Sequence, residues 1–187
     1  MAKVSIYMGA ADGNKPIYTQ TANKLGRVLA KAGHTIIYGG ANVGTMKALA
    51  DGAIEEGGYI IGVFPSGFRG RNEVQAQNIE ILREDLSETI FTEDFGSRIA
   101  KMDELSDASI VLPGGFGTFQ EMFSYLVNQQ IGIHSKPVIL FNLNGYYDTL
   151  LKFFSEIEKE GFISLTEGRL RVVSDFDQVK EILKEIK

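Results

Sequence analysis

The sequence predicts an α/β fold: a single Rossmann-like, doubly wound domain over 1–187, with a mostly parallel sheet flanked by helices. Three observations carry this expectation. Strand-like runs alternate with helical ones along the whole chain. The short runs Ile36-Ile37-Tyr38 and Ile110-Val111-Leu112 are apolar throughout, as strands buried on both faces require. Finally, 187 residues with 44% hydrophobic content can bury one good core but hardly two.

Taken in order, a strand over 3–8 leads into a helix over 16–32, a strand over 35–38 into a helix over 43–56, and a strand over 59–63 into a polar stretch. In the first helix, Ile17, Ala22, Leu25, Val28, Leu29 and Ala32 trace one stripe at spacings of three and four, with Lys24, Arg27 and Lys31 off it. That helix faces a core. The segment 66–84 has no clear period and carries Gly67, Arg69, Gly70, Arg71, Asn72 and Glu73, which reads as a surface loop flanking the site. The second half continues with a strand over 88–91, helix 97–106, strand 108–112, helix 118–130, strand 138–142, helix 146–160, strand 170–173 and helix 176–186. No repeat, low-complexity tract or linker interrupts it.

Composition excludes several classes of function. A net charge of −5, a pI near 5.1 and the absence of any basic run argue against a nucleic-acid surface, although a single nucleotide needs only a local positive site. Without cysteine there is no thiolate catalysis, disulfide or Cys-bound zinc, and His34 and His134 alone make a histidine metal cluster improbable. No apolar run approaches the 18 or so residues of a membrane span, and the N-terminal residues enter a strand without a signal peptide. The expectation is a cytoplasmic protein with no membrane partner.

Ligands of open parallel sheets bind beyond the carboxyl ends of the strands. Three glycine-rich turns fall there: Met8-Gly-Ala-Ala-Asp-Gly13, Tyr38-Gly39-Gly40-Ala-Asn-Val-Gly44 and Pro113-Gly114-Gly115-Phe116-Gly117-Thr118. Any one of them is as readily a plain tight turn, but three at one edge favour a ligand. In the third, glycines permit close backbone approach, and Thr118 opens a helix whose free N–H groups attract phosphate. Glu121, one turn further, is placed to reach a sugar attached to that phosphate. Arg98, at the start of the helix over 97–106, belongs at the same edge and can fork onto a phosphate or a carboxylate. The competing reading of Arg98 and Glu121 is a solvated surface pair of little energetic worth. Two familiar motifs fail. The spacing Gly39-x4-Gly44 is that of a P-loop, but Thr45 and Met46 stand where Lys and Ser or Thr are required. Gly115-Phe-Gly117-Thr-Phe-Gln120 lacks the third small residue of a dinucleotide fingerprint.

Pro113-Gly-Gly-Phe-Gly-Thr-x-x-Glu121 together with Arg98 resembles the LOG (Lonely Guy) family of cytokinin riboside 5′-monophosphate phosphoribohydrolases, often mislabelled lysine decarboxylases. The resemblance extends over Tyr38-Gly-Gly, Val43-Gly, Gly57-Gly58, Ile61-Gly-Val-Phe-Pro65, Met102, Leu105-Ser-Asp-Ala108, Gly132-Ile-His134, Lys136-Pro137, Asn144-Gly-Tyr-Tyr147 and Glu160-Gly-Phe162. It implies hydrolysis of the N-glycosidic bond of a nucleoside 5′-monophosphate, such as AMP or an N6-substituted relative, to free base and ribose 5-phosphate. It also implies a homodimer and no metal or organic cofactor. Carried over by position, Arg98 and Glu121 are the catalytic pair. Substrate binding falls to Gly39, Gly40, Glu73, Gly114, Gly115, Phe116, Gly117 and Thr118. The sequence does not reveal which base is recognised; its pocket is expected from loop and helix side chains such as those around Phe116, Met122 and Ile131, or from a partner subunit.

The chain departs from the family at three places. Where the family reads Met-His-Glu-Arg-Lys, this chain reads Phe95-Gly-Ser-Arg98-Ile99; the turn that is typically Cys-Gly-Ser-Ser is Met8-Gly-Ala-Ala11; and Gln120 replaces the first of two glutamates. These changes fit altered substrate choice, or a non-catalytic nucleotide or molybdenum-cofactor carrier or sensor of the same fold. A pyridoxal-phosphate decarboxylase is rejected, since Lys47, Lys101 and Lys136 read as ordinary lysines and none is marked out as a Schiff base. Phe123, Tyr125, Phe153 and Phe154 read as core or interface.

Overall fold

A computed structural model describes residues 1–66, 81–164 and 169–186. Glu73 and most of the polar segment that contains it lie outside the described residues. Strand β1 is Lys3–Tyr7, β2 Thr35–Tyr38, β3 Ile60–Pro65, β4 Glu88–Thr92, β5 Ala108–Val111, β6 Val138–Phe141 and β7 Leu170–Val173. The helices are α1 (Ile17–Lys31), α2 (Gly44–Glu55), α3 (Phe95–Leu105), α4 (Phe116–Gln130), α5 (Asp148–Lys159) and α6 (Phe176–Lys184).

The strands form one seven-stranded sheet in the order β4-β3-β2-β1-β5-β6-β7. Every pairing in it is parallel, so the expected "mostly parallel" sheet is parallel throughout. Successive strands grow away from β1 in one direction as far as β4, and the chain then returns to lay β5 on the other side of β1. The crevice between β1 and β5 is therefore the switch point, where loops leave the sheet in opposite directions.

Alternation along the strands feeds two cores. Val4, Ile6 and Met8 point into one with Leu25, Leu29, Leu49 and Val179, under α1, α2 and α6. Tyr7, Val63 and Leu140 point into the other with Met102, Met122, Tyr125 and Phe154, under α3, α4 and α5. Helices α1 and α2 lie unusually close because Gly26 faces the Leu49 carbonyl and Gly52 faces that of Asn23, where a Cβ would collide with backbone. The buried face of α1 is Thr21, Ala22, Leu25, Gly26 and Leu29, so the expected stripe is centred correctly, but its ends Ile17 and Val28 are half-buried and Ala32 is exposed.

Two boundaries differ in ways that matter to the site. Helix α3 starts at Phe95 rather than 97, because Asp94 caps it: its carboxylate accepts from the Ser97 amide at 2.8 Å, and the Ser97 hydroxyl accepts from the Asp94 amide at 3.0 Å. Helix α4 starts at Phe116 rather than Thr118, with Gly115 as its N-cap, so Thr118 sits inside the first turn instead of opening it. The expected helix over 146–160 is preceded by a 3-10 turn, Leu143–Gly145, and begins at Asp148. No helix among the described residues is long and apolar enough to cross a membrane.

Candidate active site

The loops after β1, β2 and β5 meet at the switch point around a cleft of about 470 Å³, lined by Gly9–Gly13, Gly39, Thr45, Met46, Arg98 and Pro113–Thr118, with Glu121, Tyr18, Phe95 and Tyr146. That volume lies within the roughly 300–1,000 Å³ of ordinary small-molecule sites. The loops are fastened to one another. The Thr45 hydroxyl, at the start of α2, donates to the Gly9 carbonyl at 2.7 Å. Gly114 abuts the β1 turn, where an added Cβ would lie 2.8 Å from the Gly9 nitrogen and collide with the Thr118 hydroxyl. Glycine at 114 is thus a packing requirement: the β5 turn can touch the β1 turn only without a side chain.

Arg98 and Glu121 are drawn together across the floor of this cleft. Arg98 Nη2 donates to Glu121 Oε1 at 3.0 Å, and the two side chains are only 4% and 7% exposed. The Asp94 cap sets the phase of α3 so that Arg98 points inward, and its guanidinium lies over the Phe95 ring at 4.5 Å. A solvated surface pair is therefore the wrong description. At this burial, breaking the pair by removing one partner is expected to cost about 3–5 kcal/mol. The charge on Glu121 is felt at Tyr7, whose hydroxyl is pushed well above its ordinary value by burial first and by the Glu121 carboxylate second.

The wall next to the pair is the amino end of α4, one turn before Glu121 on the same helix. No side chain caps that helix, and the amides of its first turn precede any intrahelical acceptor. The Thr118 hydroxyl is buried with no hydrogen-bond partner among the described residues. A buried hydroxyl without a partner costs about 1–3 kcal/mol, so its position beside uncapped amides marks a place for an acceptor-rich ligand.

The structure separates some residues that the sequence grouped. Gly39 lines the cleft, and a Cβ there would stand 3.1 Å from Arg98 Nη1. Gly40 turns away from the cleft: with φ at +74° it packs on Gly62 of β3, and its carbonyl accepts from the Arg83 amide at 2.9 Å. Phe116 is at the cleft and almost wholly exposed, whereas Met122 is in the core and Ile131 is exposed at the far end of α4. Neither of those two lines this cleft. Ile99 is buried, so no cation replaces the family lysine at that position. No lysine among the described residues lines the cleft. Instead Lys47 pairs with Asp51, Lys101 with Glu104 and Lys136 with Asp103. Tyr18, Tyr146 and Phe95 are the cleft residues that sequence reasoning missed. In the sequence Tyr146 is marked only within the Asn144-Gly-Tyr-Tyr147 match, and Phe95 only as the first residue of the altered Arg98 motif.

Residues 46–186 match the family model described as "Possible lysine decarboxylase". The chain is 38% identical over 175 residues to a cytokinin riboside 5′-monophosphate phosphoribohydrolase of Rhodococcoides fascians, covering 93% of this chain and 85% of that one. It is 34% identical over 184 residues to cytokinin riboside 5′-monophosphate phosphoribohydrolase LOG2 of Arabidopsis thaliana, covering 98% and 83%. Among solved structures, the molybdenum cofactor binding protein of Rippkaea orientalis superimposes with a TM-score of 0.70 at 24% identity, over 100% of this chain and 98% of the other, a likeness of fold. With the family model spanning most of its length and such relatives aligned end to end, the chain belongs to the LOG family.

Proposed function

We propose that the protein is a phosphoribohydrolase, which cleaves the N-glycosidic bond of a nucleoside 5′-monophosphate of the AMP or cytokinin type to give free base and ribose 5-phosphate. One observation carries this reading: a buried arginine–carboxylate pair opens onto a cleft beside the uncapped amino end of α4, whose Thr118 hydroxyl is buried without a partner among the described residues. The 5′-phosphate occupies the helix end, held by the amides of Gly115, Phe116 and Gly117 and by Thr118. The ribose then lies over Glu121. As the C1′–N bond breaks, its electron pair leaves with the base, which gains a proton from solvent. Positive charge builds on the ring, and the Glu121 carboxylate stabilises it. Water adds to C1′ and gives its proton to Glu121. Arg98 holds the carboxylate in place.

In this reading Gly39 gives Arg98 room, and Gly40 supports the turn from behind. Glu73 is a further substrate contact. Residues 1–187 act as one domain in a cytoplasmic homodimer, with no metal or organic cofactor and no nucleic acid or membrane partner. Exposed Phe123 and Val127 on α4 support the dimer. Support for the enzyme over a carrier comes from the curated phosphoribohydrolase relatives, aligned over nearly the whole chain, and from the retained pair.

The test is product identification. Purified protein incubated with AMP, and separately with N6-isopentenyladenosine monophosphate, is expected to release the free base and ribose 5-phosphate in equal amounts. Glu121→Ala is expected to release neither. Tight nucleotide binding without release from either compound would replace the enzyme by a carrier.

A further inference from the structure

Two adjacent tyrosines reach back from the loop after β6 to the β5 turn. Tyr147 Oη donates to the Leu112 carbonyl at 2.6 Å, and Tyr146 Oη donates to the Gly114 carbonyl at 2.8 Å. The loop that delivers them is stiffly built. Asn144 and Gly145 have φ of +50° and +75°, Asn142 Oδ1 accepts from the Tyr147 amide at 2.8 Å, and Asn142 Nδ2 donates to Asp148 at 2.7 Å. The two rings meet edge to face at 4.9 Å, and Tyr146 meets Tyr18 of α1 in the same way at 6.0 Å.

The two hydrogen bonds have different consequences. All peptide bonds described are trans, so in each unit the carbonyl and the following N–H point in opposite directions. Tyr147 fixes the peptide from Leu112 to Pro113, which has no N–H to aim. Tyr146 fixes the peptide from Gly114 to Gly115, so by holding that carbonyl it directs the Gly115 N–H away from itself. Packing does little to hold this peptide at its far end, because nothing lies within 4 Å of where a Cβ of Gly115 would be. The Gly115 amide has no acceptor among the described residues and belongs to the cleft wall where the phosphate is proposed to sit.

We infer that Tyr146 is a positioning residue for phosphate: its hydroxyl orients the Gly114–Gly115 peptide so that the Gly115 N–H is aimed at the anion. This rests on the phosphoribohydrolase reading for the identity of the substrate, but not for the anion itself. Tyr146 is partly exposed, so Tyr146→Phe retains the ring contacts and removes only the hydroxyl.

The experiment compares wild type, Tyr146→Phe and Tyr147→Phe by calorimetric titration with ribose 5-phosphate and, where turnover occurs, by steady-state kinetics on AMP and on adenosine. Tyr146→Phe is expected to weaken ribose 5-phosphate binding about tenfold, the worth of one hydrogen bond to a charged group. Its KM for AMP rises by the same factor with kcat nearly unchanged, its rate on adenosine is unaffected, and its melting temperature is that of wild type. Tyr147→Phe, which loses a buried bond, is expected to melt lower and bind ribose 5-phosphate as wild type does. Unchanged ribose 5-phosphate affinity in Tyr146→Phe, or a fall in kcat with KM constant, overturns the inference. Because the titration needs no turnover, a protein that binds ribose 5-phosphate but hydrolyses nothing defeats the enzyme reading and leaves this one standing.

Discussion

Helix α3 carries a buried polar cluster at each end, and the two have opposite surroundings. At its start, Arg98 pairs with Glu121 of α4 on the floor of an open cleft. Near its end, Asp103 gathers three partners: Asn128 of α4 at 2.6 Å, His134 at 3.2 Å and Lys136 at 3.3 Å. Lys136 also donates to the Asp103 carbonyl at 2.6 Å, and the Tyr125 ring covers His134 at 4.6 Å. Both clusters clamp α3 to α4 and both are largely buried. Only the first faces a space large enough for a substrate, beside a helix end that attracts anions. Burial of charge therefore does not by itself mark a site; what a buried charge can still reach does. The Asp103 cluster is read as a clasp holding the loop between α4 and β6.

The sharpest way to break this contrast is to remove Arg98. Arg98→Ala takes from Glu121 the guanidinium that aligns it, and turnover of AMP is expected to fall roughly thousandfold, the scale of a lost preorganised electrostatic partner. Unfolding in urea should also show a loss of about 3 kcal/mol. Asp103→Ala should match that stability loss of about 3 kcal/mol while the kcat of the folded fraction stays at the wild-type value. A proportional loss of kcat at constant stability would make the far cluster part of the site.

Thr118→Val separates binding from stability within the cleft. It removes a buried hydroxyl that has no protein partner, so the melting temperature should hold or rise, while KM for AMP rises about tenfold. A lowered melting temperature with KM unchanged would show the hydroxyl to be structural.

The smallest expected effect is a pH dependence confined to the clasp. The Lys136 amide donates to His134 Nδ1 at 3.3 Å, which leaves Nε2–H to face Asp103. Burial, the leading cause, lowers the His134 pKa, with Asp103 opposing it. The unfolded chain thus takes up this proton at higher pH than the folded one. The stability that neutral His134 contributes is complete above about pH 6.5 and is lost as pH falls below that. His34 is depressed by burial as well, so a variant is needed to separate the two. The difference in urea midpoint between wild type and His134→Gln should shrink as pH drops from about 7.5 to about 5.5. A constant difference would show that His134 is not titrating in the clasp.

Much of the fold was legible because it rests on local patterns. Ile36–Tyr38 and Ile110–Leu112 read as strands buried on both faces and are buried, and their alternation with amphipathic helices reads as the parallel pairing that is found. The glycine-rich turns, Arg98 and Glu121 were legible as members of one sheet edge. The burial of their pair was not, since it depends on tertiary packing and on where α3 starts, which the Asp94 cap fixes at Phe95. The start of α4 was hidden because Gly114, Gly115 and Gly117 read as one turn, whereas the helix already begins at Phe116 and runs through Gly117. Gly39 and Gly40 are indistinguishable in sequence, and only the positive φ of the second directs it to β3. Tyr146 was illegible as an actor because its reach to Gly114 spans 32 positions.

The measurement that tests the contrast most directly is a side-by-side comparison of Glu121→Gln and Asp103→Asn, nearly isosteric changes at the two ends of α3, by AMP titration calorimetry and by kcat/KM for base release. Glu121→Gln is expected to bind AMP within about threefold of wild type and to lose roughly a thousandfold in kcat/KM, and Asp103→Asn to keep both while melting lower. Comparable losses of kcat/KM in the two variants, or full activity in Glu121→Gln, would contradict the assignment of chemistry to the open pair.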